Sequence, residues 1–102
     1  MQREMTEEEI EQEIGQLRVS FDRERYAAIP LRLRDALIRY VVYHTPTGGF
    51  LQAVLQNNLR AAVNRADDVS LQVLPELTNW VSAFCPPEAV GSYEEYRAWT
   101  EL

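Results

Sequence analysis

The sequence contains no lysine: all ten of its basic residues are arginine. It has a single cysteine, Cys85, so no intrachain disulfide can form, and a reducing cytoplasm fits. One histidine, His44, and one cysteine cannot build a usual zinc site, and Asp67-Asp68 lacks the ligand spacing of a calcium loop. The longest apolar runs, such as Tyr40-Val41-Val42-Tyr43, are far too short to cross a bilayer. The acidic N-terminus lacks the apolar stretch of a secretory signal. There is no strand-like alternation, no internal repeat and no phosphate-loop or dinucleotide fingerprint. Cys85 stands beside Pro86-Pro87 with no basic neighbour, and His44 lies in a turn, so no nucleophile and base are legible together. These absences lead us to expect a cytoplasmic protein that is not an enzyme, with no catalytic residue, metal or cofactor.

What remains is the material of one globular domain. Of 102 residues, 46% are hydrophobic and 25% charged, which argues against general disorder. The net charge of −6 disfavours non-specific binding to duplex DNA. That charge is unevenly spread. Residues 1–26 carry Asp22 and seven glutamates against four arginines, net −4. Residues 27–85 carry Asp35, Asp67, Asp68 and Glu76 against five arginines, net +1. Residues 86–102 carry four glutamates against Arg97, net −3. An anionic ligand would therefore have to be met by the central body.

Apolar spacing is helical throughout, and predicts an all-α, compact bundle of about five helices with no sheet. Thr6-Glu7-Glu8-Glu9 is a capping box opening a helix that runs to about residue 26, with Ile10, Ile14, Leu17 and Phe21 as its stripe. Residues 1–28 are expected to form an acidic amphipathic arm, and residues 29–102 the helical core domain. Pro30 is suited to the first turn of a second helix, reaching Tyr43. Its main face is Leu33, Ala36, Leu37, Tyr40 and Val41; a second stripe is Leu31, Ile38 and Val42. Asp35 and Arg39 are spaced for an ion pair. A third helix starts near Gly49 and, if unbroken to Ala66, carries Asn58 and Arg65 inside its apolar face; alternatively it breaks at Asn57-Asn58 and an asparagine caps a new helix. Val73, Leu74, Leu77, Trp80, Val81 and Phe84 mark a fourth helix, stopped by Cys85-Pro86-Pro87. Ser92-Tyr93-Glu94-Glu95 caps a last one, with Tyr96 and Trp99 inward. The expected core is Leu37, Tyr40, Leu51, Val54, Leu55, Val73, Leu77, Trp80, Val81 and Phe84. Either the Ile10–Phe21 stripe or the Leu31–Val42 stripe would serve a homo-oligomer.

One constellation suggests a ligand. Thr47, Gly48 and Gly49 lead into a helix, and free N–H groups there suit an anion. The body adds Arg32, Arg34, Arg39, Arg60 and Arg65, whose planar forks suit phosphate. Tyr40, Tyr43, Phe50 and Trp80 offer flat faces. The expected ligand-binding residues are Thr47, Gly48, Gly49, Arg39, Asn58 and Arg65, holding a phosphate-bearing small molecule.

A longer pattern runs through Ile29-Pro30, Arg34-Asp35-Ala36-Leu37, Arg39-Tyr40, Pro46, Gly48 and Phe50-Leu51. It continues through Ala53-Val54-Leu55, Asn57-Asn58-Leu59, Arg65-Ala66-Asp67-Asp68, Leu74-Pro75, Pro86, Gly91-Ser92 and Trp99. On these residues, 29–99 resemble small uncharacterised accessory proteins of tailed phages and prophages. Members often carry Cys-Trp-Gly-Ser before the last helix; here Ala89-Val90-Gly91-Ser92 stands there, so nothing transfers for that cysteine or tryptophan. The resemblance implies stoichiometric binding in a host cytoplasm, most readily counter-defence. On it, the first expectation is a homo-oligomer that sequesters a nucleotide signal such as a cyclic nucleotide. The alternatives are an acidic module blocking a host defence protein or mimicking nucleic acid, and a structural or regulatory phage protein without ligand.

Overall fold

A computed structural model describes residues 5–102, and 72% of these are helical, 3-10 turns included. Among the described residues there is no strand, as expected, but there are seven α-helices rather than about five. They are α1 (Glu7–Ser20), α2 (Leu31–Tyr43), α3 (Gly49–Leu55), α4 (Leu59–Arg65), α5 (Asp68–Gln72), α6 (Leu74–Phe84) and α7 (Tyr93–Thr100), with 3-10 turns at Glu24–Tyr26 and Pro87–Ala89. One extra helix comes from a break within 49–66, and the other, α5, occupies residues between the expected third and fourth helices.

The first helix begins as expected: the Thr6 hydroxyl accepts the Glu9 N–H at 3.1 Å. It ends six residues early, at Ser20. There the Ser20 hydroxyl donates back to the Leu17 carbonyl and accepts the indole N–H of Trp80 at 2.8 Å. A serine bonded in this way competes with continued helix. Phe21 then leaves the helix and stacks on Trp80 at 4.3 Å between centroids. The bend that follows exposes carbonyls, and Arg34 collects them. Its Nε donates to Ile29 O at 2.7 Å, and its Nη2 to Ala27 O at 2.8 Å and Tyr26 O at 3.4 Å.

α1 packs along α2, and Leu17 and Phe21 join the same buried cluster as the remaining helices. The segment expected to be an arm thus shares one core with the body. Of the two stripes expected to face another subunit, Leu17, Phe21, Ile38 and Val42 are buried within the chain, and Ile10 and Ile14 are half-buried against the core. Leu31 alone stands fully outside, 69% exposed. The expected Asp35–Arg39 pair is not formed.

His44, in the left-handed region at φ 58°, ends α2. The expected helix over 49–66 breaks after Leu55. Asn57 turns left-handed at φ 60°, and the Asn58 side-chain oxygen accepts the Ala61 N–H at 3.1 Å to start α4. The result is a hairpin of two seven-residue helices, α3 and α4. Asp67 caps α5 by accepting the Ser70 N–H at 2.7 Å, and Pro75 sits in the first turn of α6, where its missing N–H costs nothing.

Eight of the ten expected core residues are buried; Val54 and Phe84 are half-buried against the cluster. Tyr40 is at the centre. Its ring stacks on Tyr96 at 5.3 Å, its hydroxyl donates to the Ala89 carbonyl, and its own carbonyl accepts the Trp99 indole N–H at 2.7 Å. Burial pushes the Tyr40 phenol well above its usual value. Ser92 caps α7 through the Glu95 N–H at 3.3 Å. The preceding Gly91 has φ +122°, a backbone conformation that residues with a Cβ rarely adopt, so this position favours glycine.

Candidate functional site

Because Asn57 reverses the chain, the end of α4 returns beside the start of α3. Arg65, the last residue of α4, donates from Nη1 to the Gly49 carbonyl at 3.2 Å. On the other side α5 begins, and its cap Asp67 meets Arg32 in the first turn of α2: Nη2 to Oδ2 is 2.9 Å. The same Nη2 reaches the Ser70 hydroxyl at 3.3 Å. Between these elements lies a groove of about 320 Å³, lined by Arg32, Gly48, Gly49, Phe50, Arg65 and Asp67 among others.

Its electrostatics are simple. Two guanidinium groups face one carboxylate, so the groove carries one net positive charge within a chain of net −6. The Asp67 carboxyl is held below its usual range, first by the Ser70 N–H and hydroxyl and then by Arg32. Arg32 and Asp67 are both more than half exposed, so their pairing orients Arg32 more than it stabilises the fold. Gly48 and Gly49 leave backbone bare along the wall. Neither has a positive φ, and a Cβ would meet nothing within 4 Å at Gly48 and only ordinary contact with Arg65, at 3.5 Å, at Gly49. The fold therefore does not itself demand glycine at either position. Phe50, half-buried, supplies a flat apolar face.

Three of the six expected ligand residues, Gly48, Gly49 and Arg65, meet here; the other three do not. Thr47 is turned toward α7: its N–H donates to the Tyr96 hydroxyl at 2.9 Å, and its own hydroxyl lies 3.3 Å from the same oxygen. Arg39 is exposed two turns along α2, roughly 10 Å from Arg32 on the helix axis. Asn58 is a cap at the opposite end of the α3–α4 hairpin. Nor are Asn58 and Arg65 buried within an apolar face; both are exposed, because the left-handed Asn57 resets the helical register. Arg34 is occupied by backbone carbonyls. Tyr40 and Trp80 are wholly inside the core and offer no face to a ligand.

The structure adds Asp67 and Ser70 to the groove and brings in Arg32 and Phe50, which were only general candidates. Asp67 reads locally as a helix cap, and nothing in local spacing joins it to Arg32, 35 residues away.

The remaining reactive groups are committed elsewhere. The Cys85 thiol is buried, and burial pushes it up to about 12. The His44 ring packs on Trp99 at 4.1 Å, and its Nδ1 lies 2.8 Å from the Trp99 carbonyl. A carbonyl only accepts, so Nδ1 carries a proton. Among the described residues, no group of three His, Cys, Asp or Glu side chains is placed to hold a metal, and no helix is long and apolar enough to cross a membrane. Comparison with protein-family models, curated proteins and solved structures returned no match to this chain.

Proposed function

We propose that this chain is a stoichiometric binding protein that holds a phosphate-bearing small molecule, a nucleotide by preference, in the groove between α2, α3, α4 and α5. The observation that carries the reading is the convergence of Arg32 and Arg65 on a wall of bare backbone at Gly48 and Gly49, beside the Phe50 ring. Forked guanidinium groups match phosphate oxygens, and an aromatic face suits a base. The volume lies at the small end of ligand sites, which favours one nucleotide unit per chain. Asp67 competes for Arg32, so the ligand displaces or shares that contact. The resemblance to phage accessory proteins supplies a role for such binding: sequestration of a nucleotide signal, cyclic nucleotides included, as counter-defence in the host cytoplasm.

The test is calorimetry with inorganic phosphate, mononucleotides and cyclic nucleotides. Nucleotide binding is expected in the unaltered protein. Arg65→Ala, at an exposed position, should abolish it with an unchanged circular dichroism spectrum. Absence of heat with every ligand would overturn the reading. The outcome would then favour the second one, an acidic protein-blocking module, for which Glu7, Glu8, Glu9 and Glu11 all stand exposed on α1.

A further inference from the structure

A second surface is independent of the anion groove and shares no lining residue with it. Where α1 ends and α2 begins, the two helices part around a cleft of about 240 Å³. Phe21 and Ile38, both buried, line its inner part. Val19 and Leu31 also line it, yet they are 66% and 69% exposed. One surface thus presents an apolar hole and, beside it, the aliphatic side chains that would fill such a hole.

The charges around this cleft identify what fits. Arg18, Arg34, Asp22 and Asp35 line it, two of each sign; none of the four is ion-paired among the described residues, although the Arg34 guanidinium is held in place by the carbonyls of Tyr26, Ala27 and Ile29. The two ends of the chain are acidic: Glu7, Glu8, Glu9 and Glu11 on α1 and Glu94 on α7 are exposed. A basic partner would be drawn to those faces, and an acidic partner, repelled by the net −6 overall, meets no net repulsion at a patch whose own charges cancel. A neutral patch of alternating sign is complementary to itself. Because its own charges cancel, it adds no net repulsion when two copies of an acidic chain approach there.

We propose that a second copy of this chain docks over the α1–α2 cleft about a two-fold axis. Leu31 of each copy enters the cleft of the other, and the aspartates of each face the arginines of the other. A two-fold interface requires one self-complementary patch, and this surface supplies both halves.

Light scattering and sedimentation across a concentration series test the proposal. The expected mass rises from 11.8 kDa toward twice that value. Leu31→Glu should raise the dissociation constant roughly 30-fold or more, as for an interface anchor. Asp35→Arg should weaken association through unbalanced charge. Leu31 is exposed, so circular dichroism should be unchanged by its replacement. A protein that stays monomeric at its highest soluble concentration would overturn the proposal and leave the cleft to another partner. A dimer that persists unchanged in Leu31→Glu would overturn it equally. Neither result bears on nucleotide binding, which is read with Arg65→Ala.

Discussion

Two parts of this molecule are built on opposite plans. Where α1, α2, α6 and α7 meet, the large side chains are closed in. Trp80 lies on Phe21 with its indole N–H on Ser20, and Tyr40 lies on Tyr96 with Trp99 bonded to its carbonyl. In the corner formed by α3, α4 and α5 the helices are seven, seven and five residues long. The side chains of Asn58 and Asp67 start α4 and α5, which leave Leu59, Val63, Val69 and Leu71 exposed, while α3 has no side-chain cap. Helices so short have little stability of their own, and here caps do part of what packing does elsewhere. The candidate groove opens on this corner of short helices, which joins the core only through α3, and is tied to α2 through Arg32. Binding surfaces are commonly carried in this way, by segments of low local stability on a well-packed scaffold.

The largest effect on the closed region is expected at Trp80. Its ring is fully buried, stacked and hydrogen-bonded, so Trp80→Ala should cost about 3–5 kcal/mol in denaturant unfolding. That is a large share of the roughly 5–15 kcal/mol that holds a typical domain together. A loss under about 1 kcal/mol would show that the closed region is not the stable one.

A smaller effect is expected at Asn58. As a helix cap, its replacement by alanine should cost about 1 kcal/mol. Nucleotide affinity should be unchanged, since Asn58 lies away from the groove. Unchanged stability with lost binding would return Asn58 to the ligand site and erase the division drawn here.

The smallest effect concerns acid. The folded state holds the Asp67 carboxyl below its usual value of ~4. Its contribution is therefore fully present above that value and fades as the pH falls through the lowered one. Denaturant midpoints measured across this range should fall less steeply for Asp67→Asn than for the unaltered protein, because asparagine still caps but does not titrate. Identical slopes would remove Asp67 from the account of this corner.

The same division explains how much could be read from the sequence. The all-α class, the α6 stripe and most of the core follow from apolar spacing, because in the closed region burial dictates residue type, and the Thr6 and Ser92 caps follow from local polar residues. The α3–α4 corner was legible only as alternatives. An unbroken 49–66 helix and a break at Asn57-Asn58 fit the same hydrophobic pattern; the left-handed turn at Asn57 decides between them. The end of α1 is not legible because Phe21 continues the apolar stripe although the helix has stopped; the Ser20 hydroxyl at that end is bonded to Trp80, sixty residues away, a partner that local spacing does not show. Half of the expected site residues fall in the groove for a related reason. Gly48, Gly49 and Arg65 carry a local signature, whereas Arg32 and Asp67 meet only through the tertiary fold.

Arg34 carries a consequence for how the chain tolerates change. Its guanidinium spans the carbonyls of Tyr26, Ala27 and Ile29 and closes the bend that lets α1 lie on α2. Lysine keeps the positive charge but has one nitrogen at the end of a flexible stem, and cannot present separate donors to carbonyls spaced along a turn. At this position the usual exchange of one cation for the other is not neutral. It would unfasten the α1–α2 connection while leaving every charge count the same.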